Sequence, residues 1–449
     1  MPTRFRPYHP DQVLLLPPSL KEWLPEDHLV HFISDTVDAL NLSKLYERYS
    51  GDGRRRSPYE PRMMLKVLLY GYSTGTFSSR KMARRIEDEV AFRYLAAGNM
   101  PDFRTINQFR KDNLVNFQDI FAQVVRVAQE LGLVRLGTIA VDGSKLNANA
   151  SKRKAMSYGR MKQEEARLKQ EIEELTNRAE ALDAQEDALY GADKRGDELP
   201  PELARRSDRL QKIQEAKQRL EERQKEEDKD QGRSEDDDNN SSSGIRPQGG
   251  RSKYRRDFGV PPDKKQENFT DSESRIMKTS RNGFQQCYNA QIAVDAKHQL
   301  IVATALDNNA ADAEYLIPVI EEVKRVTQKT PDTVLADSGY RSEENFKELA
   351  QRQIRGLIPL GREGKAETKI NPNLKLTQSM ARRLKSKDGE KRYRRRKAIV
   401  EAPFGWIKNV LGFVSFSLRS KWKCASEWSL VCSAVNLKRL ANLMYWKEA

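Results

Sequence analysis

The sequence predicts a mixed α/β protein: a five-stranded sheet flanked by helices, preceded by an all-α N-terminal region and interrupted by an inserted helical hairpin. Three observations lead there. Apolar residues recur at helical spacing from Pro61 to Leu133. Two well-separated segments, TIAVDGS and TVLADSG, read as buried strands with one shared pattern. Between the first strand and the next lies a long excursion with heptad spacing.

The chain has 449 residues, which suggests two or three structural units, and a formal net charge of +15, which points to a polyanionic partner such as nucleic acid. Cys287, Cys424 and Cys432 form no CxxC pair, so a reducing cytoplasmic compartment is expected. His28 and His31 have no cysteine near them and read as ordinary histidines, not a structural zinc site. The apolar run VLLL at 13–16 stops at Pro17-Pro18, too short for a signal segment or a span, so a soluble protein without a membrane partner is expected.

The elements follow in order. RMMLKVLLYGY is an apolar-faced helix. Ser78 or Ser79 offers an N-cap for a second helix, RKMARRIEDEVAFRYLAAG, which Gly98 ends. A third begins near Thr105, with Phe117, Ile120, Val124, Val127 and Leu131 at three- and four-residue steps. Two helices joined by a short turn, the first opened by Arg80, Lys81, Arg84 and Arg85, suit a helix-turn-helix on DNA; a helical cap with a solvated basic face suits them equally.

LGTIAVDGSK is the first strand. Leu168, Ile172, Leu175, Ala179 and Leu182 then keep heptad spacing, GADKRGDELPP breaks it, and Leu203, Leu210, Ile213 and Leu220 resume it, as in an antiparallel helical hairpin. The polar run from Glu226 to Gly244 has no apolar period and reads as a disordered linker. QCYNAQIAVD and LIVATALD flank the short AKHQ as a β-hairpin. Helix, strand, helix and strand follow at ADAEYLIPVIEEVKRV, TVLAD, SEENFKELAQRQ and GLIPL. The expected units are 1–133, 134–154 with 271–449, and the insertion 155–270.

Each of the two matching strands is Thr, three apolar residues, Asp and two small residues; the small residues let a ligand or backbone approach Asp142 and Asp337. Two other acids end apolar runs. Asp295 opens a turn, where its local hydrogen bonds explain it. Asp307 lies two strands from Asp142, roughly 10 Å away at usual strand spacing. The strand of Asp337, reached through a helix, can run parallel to and beside that of Asp142. Two carboxylates there repel unless a cation lies between them, and oxygen donors suit magnesium or manganese.

A third acid sits in IVEAPFGWIKN. Glu401 is flanked by Val400 and Ala402 just after the basic run KRYRRRK, and an ionised acid among apolar residues needs a cation, a metal or exposure. It would be the third oxygen donor, with Lys408 seven residues on and able to meet a phosphate. Pro403 is expected to place Glu401 at a kink or just before a new first turn. A solvent-exposed Glu at a helix start fits the spacing equally.

Together these segments resemble the DDE transposases of bacterial insertion sequences, over most of the chain, and among them the IS eleven-eighty-two-like branch with an N-terminal helical DNA-binding region, here SSRKMARRIEDEVAFRYLAAGNMPDFRTINQFR. AVDGSK resembles the first-Asp motif, RIMKTSRNGFQQCYNAQIAVD the strand entered after the insertion, and LADSGY the second-Asp motif. The family's third motif has Tyr, Arg, the catalytic Glu and a Lys seven residues later, answered by Tyr393, Arg396, Glu401 and Lys408. Arg396 stands five residues before Glu401, where the commonest form has four; Lys397 holds the four-residue position.

The resemblance implies a ribonuclease H-like catalytic domain in which Asp142, Asp337 and Glu401 hold two Mg2+ or Mn2+ ions for phosphoryl transfer on double-stranded DNA. It also implies that Lys408, Tyr393 and Arg396 grip the DNA backbone and that the N-terminal helices, with Arg80, Arg84 and Arg85, bind terminal inverted repeats. A homodimer on paired ends, joining to target DNA, and a nucleoid-associated bacterial location go with it. The ten Lys and Arg of 382–397 read as a phosphate track. Trp406, Trp422 and Trp428 could stack on flipped bases, with core packing the competing role. Two alternative readings are a catalytically silent DNA-binding protein derived from a transposase and a coiled-coil scaffold.

Overall fold

The computed structural model describes residues 19–49, 58–190, 201–234, 256–279, 283–361, 371 and 373–445. The early run VLLL with Pro17-Pro18, the hairpin break at 191–200 and the linker residues 235–244 lie outside the described residues. The strands are β1 (Thr138–Asn147), β2 (Ala155–Ser157), β3 (Gln266–Asn268), β4 (Arg275–Thr279), β5 (Gly283–Asp295), β6 (Ile301–Asp307), β7 (Thr333–Leu335) and β8 (Arg355–Leu357). β2 and β3 pair with each other at the base of the inserted hairpin, and the rest form one mixed sheet.

β5 organises that sheet. One side of it pairs antiparallel with β1 along Cys287–Asp295; the other side pairs with β4 over its first residues and with β6 over its last. β1 then pairs parallel with β7, and β7 parallel with β8. The order is therefore β6–β5–β1–β7–β8, with β4 prolonging the β6 edge, which makes six strands where the sequence reading expects five. β4 escapes a pattern search because RIMKT is an edge strand with polar residues around a single buried Met277. Asp307 pairs with Asn289 of β5, on the far side of β5 from β1. Asp295 accepts from the amides of Leu136 (2.9 Å) and Lys297 (3.1 Å), in keeping with the turn role expected of it.

The C-terminal helix Lys421–Tyr445 is buried continuously from Ser426 to Leu437, as only a helix covered on all sides can be. On one side Asn436 receives the Ile301 amide (2.9 Å) and donates to the Ile301 carbonyl (2.8 Å), satisfying the start of β6. On the other side it packs against the helices Pro61–Ser73 and Phe117–Glu130. A single apolar core thus runs from Val30 through the sheet to Leu440. Between residues 19 and 133 every described regular element is a helix. Asp102 caps Phe103–Asp112 through the Thr105 amide (2.7 Å), and Glu60 caps Pro61–Ser73 through the Met63 amide (2.8 Å), with Pro61 at the first position.

RKMARRIEDEVAFRYLAAG forms two helices, Ser79–Asp88 and Val90–Leu95, rather than one. Glu89 breaks it: its backbone is extended (φ −116°, ψ 130°) and its carboxylate is held by the Arg85 guanidinium, a tertiary constraint invisible to periodicity. The inserted helices Tyr158–Tyr190 and Pro201–Asp230 pack around their own small cluster, in which Leu168, Ile213 and Leu220 are buried. The side chains of Ala179, Leu182 and Leu203 lie outside the described residues.

The expected linker begins later than its composition suggests, because Glu226–Asp230 is still helix. Asp228 anchors that end by accepting from Gln224 (3.0 Å) and the Gly259 amide (2.9 Å) and by pairing with Arg233 (3.2 Å), so a polar anchor replaces the apolar one a periodicity search looks for. The three cysteines are free and buried, and His28 accepts from the Val30 amide as a helix cap. Among the described residues no helix is long and apolar enough to cross a membrane.

Candidate active site

Asp142 lies mid-strand on β1. The parallel register pairs Ile139 with Val334 and Ala140 with Leu335, so continuing it by two residues brings Asp337 level with Asp142. Each carboxylate is fixed by an amide just beyond it. Asp142 Oδ1 accepts from Gly143 N (2.8 Å), and Asp337 Oδ1 accepts from Gly339 N (2.8 Å) at the head of a short turn.

A third element supplies the cation and the third acid. The helix Arg396–Gly405 packs against β1 and β5. Arg396 is buried and places Nη1 3.2 Å from Asp142 Oδ2, while Lys397 is exposed. Of the two, Arg396 is the one that faces Asp142. Half-buried Tyr393 adds a hydrogen bond to Arg396.

Glu401 is exposed on the same helix and shares with Asp142 an open cleft of about 560 Å³, lined also by Ser144, Lys145 and Lys408. Lys408 donates to Ser144 Oγ across that cleft. Pro403 does not displace Glu401 to a kink; it lies within the helix, which then widens into a π-turn at Trp406–Val410. Proline in a helix interior costs about 3 kcal/mol. Burial of Ile399, Val400, Pro403 and Phe404 on the inner face offsets this, and Glu401 and Lys408 remain on the cleft side.

Burial raises the Asp142 carboxyl to a pKa of about 6; Asp337 pushes it further up, while Arg396 and the Gly143 amide pull it down. The sign of the consequence is fixed. An Asp whose pKa is higher folded than unfolded weakens the fold as pH rises from about 4 to 6, and the penalty persists above that. Asp142→Asn is therefore expected to gain about 2–3 kcal/mol of stability relative to wild type between pH 4 and pH 8 in the metal-free protein. Urea unfolding in EDTA at the two pH values checks this, and equal stabilisation at both would contradict it.

The sequence reading missed one acid. Asp312, in the loop before the helix Leu316–Thr327, has Oδ1 accepting from Asn289 Nδ2 (2.7 Å), Gln291 Nε2 (2.8 Å) and Lys145 Nζ (3.2 Å). It is one of the groups that crowd the glycines of both strand patterns: a Cβ on Gly143 would meet Gln291 Nε2 first, then Asn289 Oδ1 and Asp312 Oδ1 (both 2.9 Å), and one on Gly339 would meet Asp337 Oδ1 (2.9 Å) and then Asp312 Oδ2 (3.2 Å). Tyr340, bonded to Gln291, closes the same cluster. Only the paired glycines hinted at it, since they announce a close approach without naming what approaches.

Asp142 thus pairs with Arg396, feels the charge of Asp337 and shares a cleft with Glu401 and Lys408. Among the described residues no three His, Cys, Asp or Glu side chains stand together as a group able to hold a metal ion. In the N-terminal helices Arg80 and Arg84 are exposed, with Arg80 over the Phe103 ring. Arg85 is half-buried, paired with Glu89 and stacked over the Phe92 ring.

A family model described as Transposase DDE domain matches residues 255–437, and one described as Transposase domain (DUF772) matches 18–112. The chain belongs to the insertion-sequence DDE transposases. The first match spans Asp337 and Glu401 but begins beyond Asp142, which lies on β1. Comparison with curated proteins and with solved structures gave no match.

Proposed function

We propose that this transposase binds double-stranded DNA at terminal inverted repeats and cuts and joins it by phosphoryl transfer at Asp142, Asp337 and Glu401. The observation that carries this reading is the parallel pairing of β1, which holds Asp142, with β7, which ends two residues before Asp337, with Glu401 and Lys408 lining the cleft beside Asp142. The strand order β6–β5–β1–β7–β8, antiparallel as far as β1 and parallel after it, supports a ribonuclease H-like core. In this reading residues 1–133 are the DNA-binding unit, 134–154 with 271–449 the catalytic unit, and 155–270 an insertion.

The three acids fit a hard divalent ion, because the donors are all carboxylate oxygens and burial beside Asp337 disfavours the charge on Asp142 that a cation would relieve. Asp142, Asp337 and Glu401 would hold two Mg2+ or Mn2+ ions, which when bound activate the attacking oxygen and stabilise the leaving one. The chain's own groups do the rest. Lys408, steadied by the Ser144 hydroxyl, offers its ammonium to a phosphate oxygen in the cleft. Arg396, held by Tyr393, neutralises the acids before DNA arrives and is the second cation within reach of phosphate. Lys397, with Arg80 and Arg84 on the N-terminal helices, extends the contact along the backbone, and two chains hold two ends.

Asp312 acts in this reading as a positioning residue that sets the spacing of the two aspartate-bearing strand ends. Asp312→Asn keeps the shape but replaces an acceptor with a donor facing Asn289 and Gln291. It is expected to lower cleavage about 10–100-fold, as loss of a supporting partner does, to raise the metal concentration giving half-maximal rate, and to leave duplex affinity unchanged. A variant that loses only thermal stability would reduce Asp312 to a packing role.

The reading is tested by incubating wild type with a labelled duplex carrying the element's end and Mg2+ or Mn2+. Metal-dependent nicking at the end is expected. Tight binding with no cutting, when a second end is supplied, would point to a silent DNA-binding protein.

A further inference from the structure

The cleft that holds Asp142 and Glu401 does not end the polar surface along β1. The segment Val414–Arg419 runs beside the end of that strand: Asn147 N donates to Val414 O (3.0 Å), Phe416 N to Asn147 O (2.9 Å), and Asn149 Nδ2 to Ser417 O (2.7 Å). The cleft reaches Asn147 and Val414, and a second groove of about 410 Å³ opens two residues on, at Asn149 and Ser417. Its far wall is Lys111 and Leu114 from the N-terminal helices.

This groove is built for a polyanion. Lys111, Arg419 and Lys423 line it with no carboxylate among the lining residues, and among the described residues none of the three forms an ion pair. Asp271 and Glu273 are turned to the amides of Ser420 (3.3 Å) and Lys421 (2.8 Å). Trp422 is 52% exposed at the rim, with the Lys423 ammonium 5.6 Å from its ring centre, whereas Trp428 is fully buried in the core.

We infer that this groove takes the phosphate backbone of the same DNA duplex that enters the acid cleft, about 23 Å from the acids. The distance follows from the seven-residue step from Asp142 to Asn149, the first five along β1, at about 3.3 Å each. It corresponds to about seven base pairs at 3.4 Å per pair. The three cations take phosphate oxygens and the Trp422 ring lies against the sugar edge. Because Lys111 comes from the N-terminal helices and Arg419 and Lys423 from the segment that follows the acid helix, one stretch of backbone contacts both units at once.

The inference rests on the reading of the acids as the DNA-cutting site, and the test separates the two. Binding of a fluorescein-labelled 30-base-pair duplex is measured in EDTA across a range of NaCl, for wild type, for Lys111→Ala/Arg419→Ala/Lys423→Ala, and for a control, Lys324→Ala/Lys347→Ala. The triple variant is expected to lower the slope of log K against log salt by about 2.7, at 0.9 per phosphate contact, while the control keeps the wild-type slope. An unchanged slope in the triple variant, with wild type binding well, overturns the groove alone. Failure of wild type to bind overturns the groove and the proposed function together.

Position is read separately. An iron chelate on Lys423→Cys can be attached selectively, since all three native cysteines are buried. Backbone cuts about seven base pairs from the phosphate the enzyme cleaves support the track along β1, and cuts elsewhere refute it.

Discussion

Asp142→Ala, Asp337→Ala and Glu401→Ala are each expected to lower metal-dependent cleavage by about a thousandfold or more, some 4 kcal/mol of barrier, while binding the same duplex within a few-fold of wild type. The size follows from the acids acting as a unit: removing one oxygen donor dismantles the charge arrangement on which the others depend. For the same reason the double variant Asp142→Ala/Asp337→Ala should be scarcely worse than either single one. Multiplicative losses would show that the acids act independently. The retained binding is equally informative, because contacts from Lys408, Arg396 and the N-terminal helices do not pass through the carboxylates. Asp142→Ala also leaves Arg396 buried without its carboxylate partner, so folding of that variant needs checking by its melting profile.

The second large effect lies away from the acids. Glu427 is fully buried in the C-terminal helix and accepts from Tyr72 Oη (3.1 Å), Ser417 N (2.9 Å) and Leu418 N (3.2 Å). Arg110 donates to the same Tyr72 hydroxyl (3.1 Å) and feels the Glu427 charge. One carboxylate thus ties two N-terminal helices to the segment that walls the basic groove.

Glu427→Ala is expected to destabilise the protein by about 3–5 kcal/mol, since it removes the acceptor of the buried Tyr72 hydroxyl and of the Ser417 and Leu418 amides and leaves the Arg110 charge without its buried counter-charge. Tyr72→Phe should cost only about 1 kcal/mol. Denaturant unfolding of the wild type should show one transition, because the core is continuous across the N-terminal helices and the sheet. A separate early transition, with Glu427→Ala affecting that one alone, would mean that the helices fold as an independent unit.

Much of the sheet could be read in the sequence because its central strands are buried on both faces and ended by an acid with small residues after it. Thr138 to Asp142 and Thr333 to Asp337 repeat that signal, and the structure pairs their first three residues, Thr138–Ala140 with Thr333–Leu335, in parallel. Other features rest on partners distant in the chain. Glu89 breaks a helix through its pairing with Arg85, β4 is strand only because β5 lies beside it, and Pro403 stays helical because its neighbours are buried.

Asp312 was the largest omission. It sits in DNNAADAE, whose second half the sequence reads as the opening of a helix that starts only at Leu316, and its partners Lys145, Asn289 and Gln291 lie 167, 23 and 21 residues away. The identity of the cation facing Asp142 was likewise beyond spacing, because Arg396 and Lys397 differ by one residue and only the orientation of the helix separates them.

The proposal that Asp142, Asp337 and Glu401 converge on a common divalent ion is open to one direct measurement. Fe2+ in place of Mg2+, with ascorbate and peroxide, releases hydroxyl radicals that break the polypeptide next to the bound ion, and the fragments of end-labelled protein map the breaks. The expected result, in the presence of duplex DNA, is breakage near residues 142, 337 and 401 in the same reaction, suppressed by excess Mg2+. Breaks near 142 and 337 with none near 401, or breaks indifferent to Mg2+, would contradict it.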